Sequence, residues 1–201
     1  MTEENKTKKN IIIGPATLVW VFISGLGKAN YNNDGYEYTA SAIVTKEQKL
    51  EIERSILEVA PVKSLDELDN VPIKPCDAEG EETKDGDHFL VQSKTKTTYA
   101  DGKKKVIVIA NRKGQKIVFG DKKIGNESVG CISCDVGYSF IAKKKNAHLF
   151  LQGVQLLKFV PYDGVMFDDR EKEGDFDGFG EEEENQFGDF DKAQEKAPSK
   201  L

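Results

Sequence analysis

The stretch 86–110, GDHFLVQSKTKTTYADGKKKVIVIA, constrains the fold most, because it joins two strand-like runs through a short basic turn. In its first half Ser93, Thr95 and Thr97 alternate with Lys94, Lys96 and Thr98. A strand sends successive side chains to opposite faces, so both lysines project from one face. Tyr99 and Asp101-Gly102 close this run; Lys103, Lys104 and Lys105 open the next, which continues as Val-Ile-Val-Ile to Ala110. Such a β-branched run suits a strand buried on both faces. Cations are therefore expected at the rim of a β core.

The two-residue period recurs along the chain. After Pro15, the residues Leu18, Trp20 and Phe22 alternate with Val19, Val21 and Ile23, so both faces are apolar, as in a strand that is buried or carries a binding aromatic. Gly25-Leu26-Gly27-Lys28 opens a loop, Asn32-Asn33-Asp34-Gly35 closes it, and Tyr36 to Val44 reads as the return strand. Thr45 with Gln48 forms a capping box, and Leu50, Ile52, Ile56, Leu57 and Ala60 make the apolar stripe of one helix that Pro61 stops. The Pro-punctuated, acid-rich stretch Val62 to Asp85 reads as a surface loop or insertion. Asn111-Arg112-Lys113-Gly114 is a turn, followed by Lys116 to Phe119 and a polar link, Asp121 to Glu127. Val129 to Ala142 and Ala147 to Val160 are two long strand candidates joined by a basic tip, Lys143-Lys144-Lys145-Asn146.

Hairpins instead of repeated βαβ units predict a mostly β protein, a small barrel or sandwich, with an OB-like barrel of five or six strands over residues 16–162 and one helix after the second strand as the favoured form. Residues 1–15 are expected to form a flexible arm, and 163–201 a disordered acidic tail. From Asp163 onward 14 acids face 5 bases, a balance of -9 that leaves +3 for the rest of a chain whose net charge is -6. A mildly basic body with an acidic extension is the useful reading of that total. The longest apolar run, Ala16 to Ile23, is too short to span a bilayer, and MTEENKTKKN is unlike a secretory signal. Three cysteines give no disulfide framework, so an intracellular, reducing location is expected.

Lysines and arginine crowd between residues 94 and 145, with Tyr99, Phe119, Tyr138 and Phe140 among them. Single-strand binders need that mixture, since cations follow phosphates and aromatic faces stack on bases. Trp20 and Lys28 join the candidates from the first hairpin. A solvated strand face with ordinary core aromatics is the competing reading. Gly25-Leu26-Gly27-Lys28 lacks the spacing, the Ser or Thr and the following helix of a phosphate loop. Cys131-Ile132-Ser133-Cys134 has zinc-like spacing, yet residues three apart on a strand face opposite ways. Asp175-Phe176-Asp177-Gly178 lacks the full ligand set of a calcium loop. No metal, cofactor or catalytic constellation is expected. In the tail, Phe167, Phe176, Phe179, Phe187 and Phe190 interleave with acids, as anchors for a partner would.

Taken in order, the elements resemble those of the single-stranded DNA-binding proteins that short-tailed coliphages encode for replication. The likeness rests on a hairpin running into a capped helix and a basic strand, Ser93-Lys94-Thr95-Lys96, before a Lys-rich turn. It continues through KKVIVIANRKGQKIV, the strand GCISCDVGYSF, a basic tip, LFLQGVQLLKF and an acidic tail with aromatics. The resemblance implies an OB fold without catalytic activity, sequence-tolerant binding of single strands, strand annealing and a homodimer. Lys94 and Lys96 match the family's basic strand, and Tyr138 an aromatic of its fifth strand. The tail would contact DNA polymerase and primase-helicase and occupy the DNA groove when DNA is absent, in the infected host's cytoplasm. Its partner-binding candidates are Asp175, Phe176, Asp177, Phe179, Glu181, Glu182, Glu183, Glu184, Phe187, Asp189, Phe190 and Asp191. Family tails end in acids and an aromatic, whereas this one runs on through Lys192, Lys196 and Lys200 to Leu201. The other class of function the sequence allows is an acidic-tailed interaction module or chaperone for basic partners.

Overall fold

The computed structural model describes residues 9–30, 35–119 and 122–162. The tail, with every partner-binding candidate placed on it, lies outside the described residues. The strands are β1 (Lys9–Phe22), β2 (Lys28–Ala29), β3 (Tyr36–Thr45), β4 (Ile73–Cys76), β5 (His88–Lys96), β6 (Val108–Ala110), β7 (Ser128–Ile141) and β8 (Lys144–Lys158); helix α1 spans Lys46–Val59. They form one sheet in the order β4-β5-β3-β1-β7-β8-β6, with β2 on β3. Packing of β5 against β8 rolls this sheet into an OB-like barrel. All pairings are antiparallel except β6 with β8.

The barrel fills with the inward residues of each strand. Leu18 pairs with Ala42 on one side and Ser128 on the other, and Ile132 sits between Ile13 and Val154. Leu18, Ile132, Val136, Leu149, Leu151 and Leu156 are fully buried. Full burial of such a side chain is worth about 1.5–3 kcal/mol, which makes this layer the main stabilising feature. Helix α1 begins as the sequence requires: the Gln48 amide donates to Thr45 Oγ1 at 3.4 Å, and the Thr45 amide to Gln48 Oε1 at 3.0 Å. Ile52 and Ile56 bury its apolar face. Among the described residues no helix is long and apolar enough to cross a membrane.

Several expectations change. Residues 9–15, assigned to an arm, belong to β1 and pair with β7 from Lys9↔Val136 onward, because Ile11 and Ile13 supply inward side chains that the polar start of the chain obscures. The run after Lys105 is not buried on both faces. Ile107 and Ile109 are inside, but Val106 is 80% exposed and Val108 40%, since β6 is short and lies at the edge of the sheet. After the Asn111–Gly114 turn, Lys116 makes a single bridge back to Ala110. The stretch 62–85 includes β4, which pairs with β5 and buries Cys76. The β7–β8 turn is tighter than the predicted tip: Ala142 and Lys143, both at positive φ, make the bend, so Lys144 and Lys145 are already strand residues. Among the described residues the count rises from five or six strands to eight, β2 and β4 being too short to show a period.

Candidate functional site

Residues directly opposed in a ladder share a face. On the outer surface Lys96 stands opposite Glu37, which stands opposite Lys28; Lys94 stands opposite Thr39, which stands opposite Phe22. Two neighbouring rows, Lys28–Glu37–Lys96 and Phe22–Thr39–Lys94, therefore cross β1, β2, β3 and β5. The Lys28 ammonium lies 5.9 Å from the Phe22 ring centroid, and the Glu37 carboxylate 3.7 Å from Lys94. Three cations around one carboxylate leave the patch positive, with an aromatic ring that is 43% exposed.

Phe22 faces outward because β1 carries an extra residue. Val19 pairs with Ser41 but Phe22 with Thr39, and the bulge is absorbed where Trp20 adopts φ 51°. The Trp20 amide donates to Asn126 Oδ1 at 3.0 Å, and its carbonyl accepts from Thr39 Oγ1 at 3.4 Å. Strict alternation would place Leu18, Trp20 and Phe22 on one face. Instead Leu18 is in the core and Trp20 packs on Val19, Ile43, Cys76 and Leu90, a small cluster outside the barrel.

Across the β5–β8 seam the surface continues with His148 and Phe150, whose rings stack at 5.6 Å and 26°. Burial holds the His148 imidazole below its ordinary range, and the Lys94 charge lowers it further, so β5 and β8 meet electrostatically here. Ser139 Oγ lies 2.7 Å from His148 Nε2. Phe150 reaches across β7 at Gly137, where an added Cβ would collide with the ring. Beyond Phe150 a cavity of about 460 Å3 opens, lined by Tyr99, Lys105, Asp135 and Gln152 among others. Lys105 Nζ donates to Thr95 Oγ1 at 2.9 Å and lies 5.0 Å from the Tyr99 ring centroid.

The structure thus brings Lys28, Lys94 and Lys96 onto one outer band, while Tyr99 and Lys105 line the cavity beside Phe150, with Lys105 tied to Thr95, which faces the opposite way from Lys94 and Lys96. Lys103 is on the same loop, paired with Asp101 at 3.1 Å; the Lys103 amide, then its side chain, holds that carboxyl below the usual range. Lys104 is exposed beside its backbone bridge to Thr98. Arg112 and Lys113 occupy a turn tied to Gln155, which donates to the Asn111 and Arg112 carbonyls. That is about 23 Å along β8 from His148 at the usual strand rise. Lys143 and Lys144 are exposed near the β7–β8 turn, whereas Lys145 is held by Asp69 at 2.7 Å and Glu67 at 3.4 Å. Tyr138, opposite Ala147, follows the inward parity of Ile132, Cys134 and Val136 and is half-buried. The CxxC pair splits as strand geometry demands. Cys131 is half-buried on the outer side and Cys134 buried inside, its thiol pushed up to about 12 by burial and by the Asp135 charge.

Phe22, His148 and Phe150 are site residues that sequence reasoning misses. The signal for the β8 pair is available, since His148 and Phe150 alternate with Leu149 and Leu151. No signal in one sequence marks the β1 bulge.

No family model and no curated protein matches the sequence. Solved structures do match in shape. The chain is similar to gp2.5, a single-stranded DNA-binding protein encoded by bacteriophage T7, at a TM-score of 0.59 and 16% identity over 87% of this chain and 99% of that one. It is also similar to the C-terminally truncated single-stranded DNA-binding protein of bacteriophage Enc34, at a TM-score of 0.52 and 11% identity over 80% of this chain and 95% of that one. Element by element, then, the chain has the mostly β, OB-like fold of these phage proteins.

Proposed function

We propose that the protein binds single-stranded DNA without strict sequence preference and performs no catalysis. The observation that carries this reading is the outer band of Lys28, Lys94 and Lys96 beside exposed Phe22, adjoined through His148 by the cavity that Lys105 lines with exposed Tyr99 and Phe150. Ammonium groups neutralise a phosphate backbone, and ring faces stack on bases at roughly 1–3 kcal/mol per base. A duplex hides its base faces, so single strands are the matching ligand. The fold shared with two phage single-stranded DNA-binding proteins supports the same reading.

In this reading the protein supports phage replication, recombination and strand annealing as a homodimer in the host cytoplasm. Residues 163–201 recruit a DNA polymerase and a primase-helicase and compete with DNA for the basic band. The test is fluorescence titration of a labelled single strand, with duplex of equal length as competitor. Single strands are expected to win, and Lys94→Ala with Lys96→Ala to weaken binding to every sequence alike. The slope of log affinity against log salt should fall by about 0.7 for each phosphate that the variant no longer neutralises. Equal affinity for duplex, or an unchanged slope, would remove this function from the band.

A further inference from the structure

The band contains one feature that a purely phosphate-tracking surface would not need. The cavity at its end holds the Asp135 carboxylate, next to the rings of Tyr99 and Phe150 and the aliphatic Val106. The carboxylate repels phosphate while the Lys105 ammonium lining the same cavity attracts it, so the backbone is drawn to Lys105 and a base is the part of a nucleotide that fits against Asp135. About 460 Å3 is within the range of small-ligand pockets and accommodates a purine.

The position of Asp135 is fixed from both sides. Asn10 Nδ2 donates to Oδ1 at 3.0 Å and Gln152 Nε2 to Oδ2 at 2.9 Å. An ionised carboxylate has about four acceptor sites, so each oxygen keeps one for a ligand after these two bonds. Its remaining chemistry is a pair of adjacent acceptors. Guanine is the base whose Watson–Crick edge presents two adjacent donors, N1–H and the N2 amino group, and in a single strand that edge is open. Adenine and cytosine offer one amino group there, and thymine one ring N–H.

We propose that this cavity is a base-recognition pocket that selects guanine, stacked on Tyr99 or Phe150 and bound through both donors to Asp135. The proposal rests on the single-strand reading and adds one selective position to otherwise sequence-tolerant binding. Lys105, beside Tyr99, meets the flanking phosphate.

The experiment uses the full-length protein and three short thymine oligonucleotides of equal length: all thymine, one internal guanine, and hypoxanthine in place of that guanine. Hypoxanthine keeps N1–H and lacks only the N2 amino group. The guanine strand should bind about five- to tenfold tighter than the other two, the low end of what a two-bond base contact gives. Asp135→Asn should erase that preference, read as the ratio of guanine-strand to all-thymine affinity within the variant. Because Asn10 and Gln152 contact the same side chain, Tyr99→Ala provides a second variant and should weaken the guanine strand more than the thymine strand. Equal wild-type affinities for the three strands would overturn the pocket and leave single-strand binding standing. No binding to any of them would sink the underlying reading instead.

Discussion

At the scale of single residues, the β5–β8 seam shows most clearly how neighbours set chemistry. Burial, and then the Lys94 charge, disfavour the protonated form of His148, so in the folded state its affinity for a proton is below that of the free side chain, whose value is 6.5. The sign of the pH effect follows. Well above 6.5 neither state is protonated and His148 has no effect on stability. As pH falls through 6.5 the unfolded chain takes up a proton that the folded one resists, and stability is lost. Urea midpoints should therefore drop between about pH 7 and pH 5, and the drop should be smaller in His148→Gln. An identical pH profile in the variant would mean that the imidazole is no worse placed folded than free. Cys134 is a parallel case without a functional reading: a thiol raised to about 12 is a poor nucleophile and belongs to the core.

At the scale of elements, the β7–β8 hairpin is the part least tolerant of added volume. An added Cβ at Gly130 would collide with the Gln155 carbonyl oxygen and stand 3.0 Å from Leu18 Cδ1, so backbone as well as side chain would have to give. Gly130→Ala should cost about 1–3 kcal/mol, read as a lowered urea midpoint. An unchanged midpoint would show that β8 can move aside. This hairpin is also the element most legible in the sequence, along with α1 and the outward pair Lys94 and Lys96, because long periodic runs and a capping box are local signals. The bulge at Trp20 is not legible. It depends on β3 offering two residues against three of β1, and only the paired ladder reveals that mismatch. The same holds for β6, whose Val-Ile-Val-Ile run looks like core until its place at the sheet edge exposes alternate residues. Arg112, Lys113 and Tyr138 stand out in the sequence for being charged or aromatic near other candidates, and pairing moves them away from the band.

At the scale of the whole molecule, charge separation along the chain is the dominant feature, with -9 beyond residue 162 and +3 before it. A tethered polyanion has a high effective concentration near any basic surface on the same chain, which is why the proposed function includes competition with DNA. Truncation after Tyr162 is expected to leave the barrel folded and to raise affinity for single strands most at low salt. The gain should shrink as ionic strength rises, because salt screens the attraction being removed. Equal affinity of full-length and truncated proteins at every salt concentration would assign the acids to docking or solubility alone.

The seam between β5 and β8 also imposes an order of assembly. Lys94 and Lys96 are synthesised well before the strand that carries His148, Phe150 and Gln152. A chain leaving the ribosome at about 5–20 residues per second therefore displays its lysines for seconds before a complete band exists. Until β8 emerges, neither the His148–Phe150 stack nor the cavity has been made, and the lysines stand with Phe22 and Tyr99 alone. The closed barrel, the Phe150 ring and the cavity thus arrive with the last strand, so a truncated translation product ending before residue 144 is a poor competitor for the finished protein.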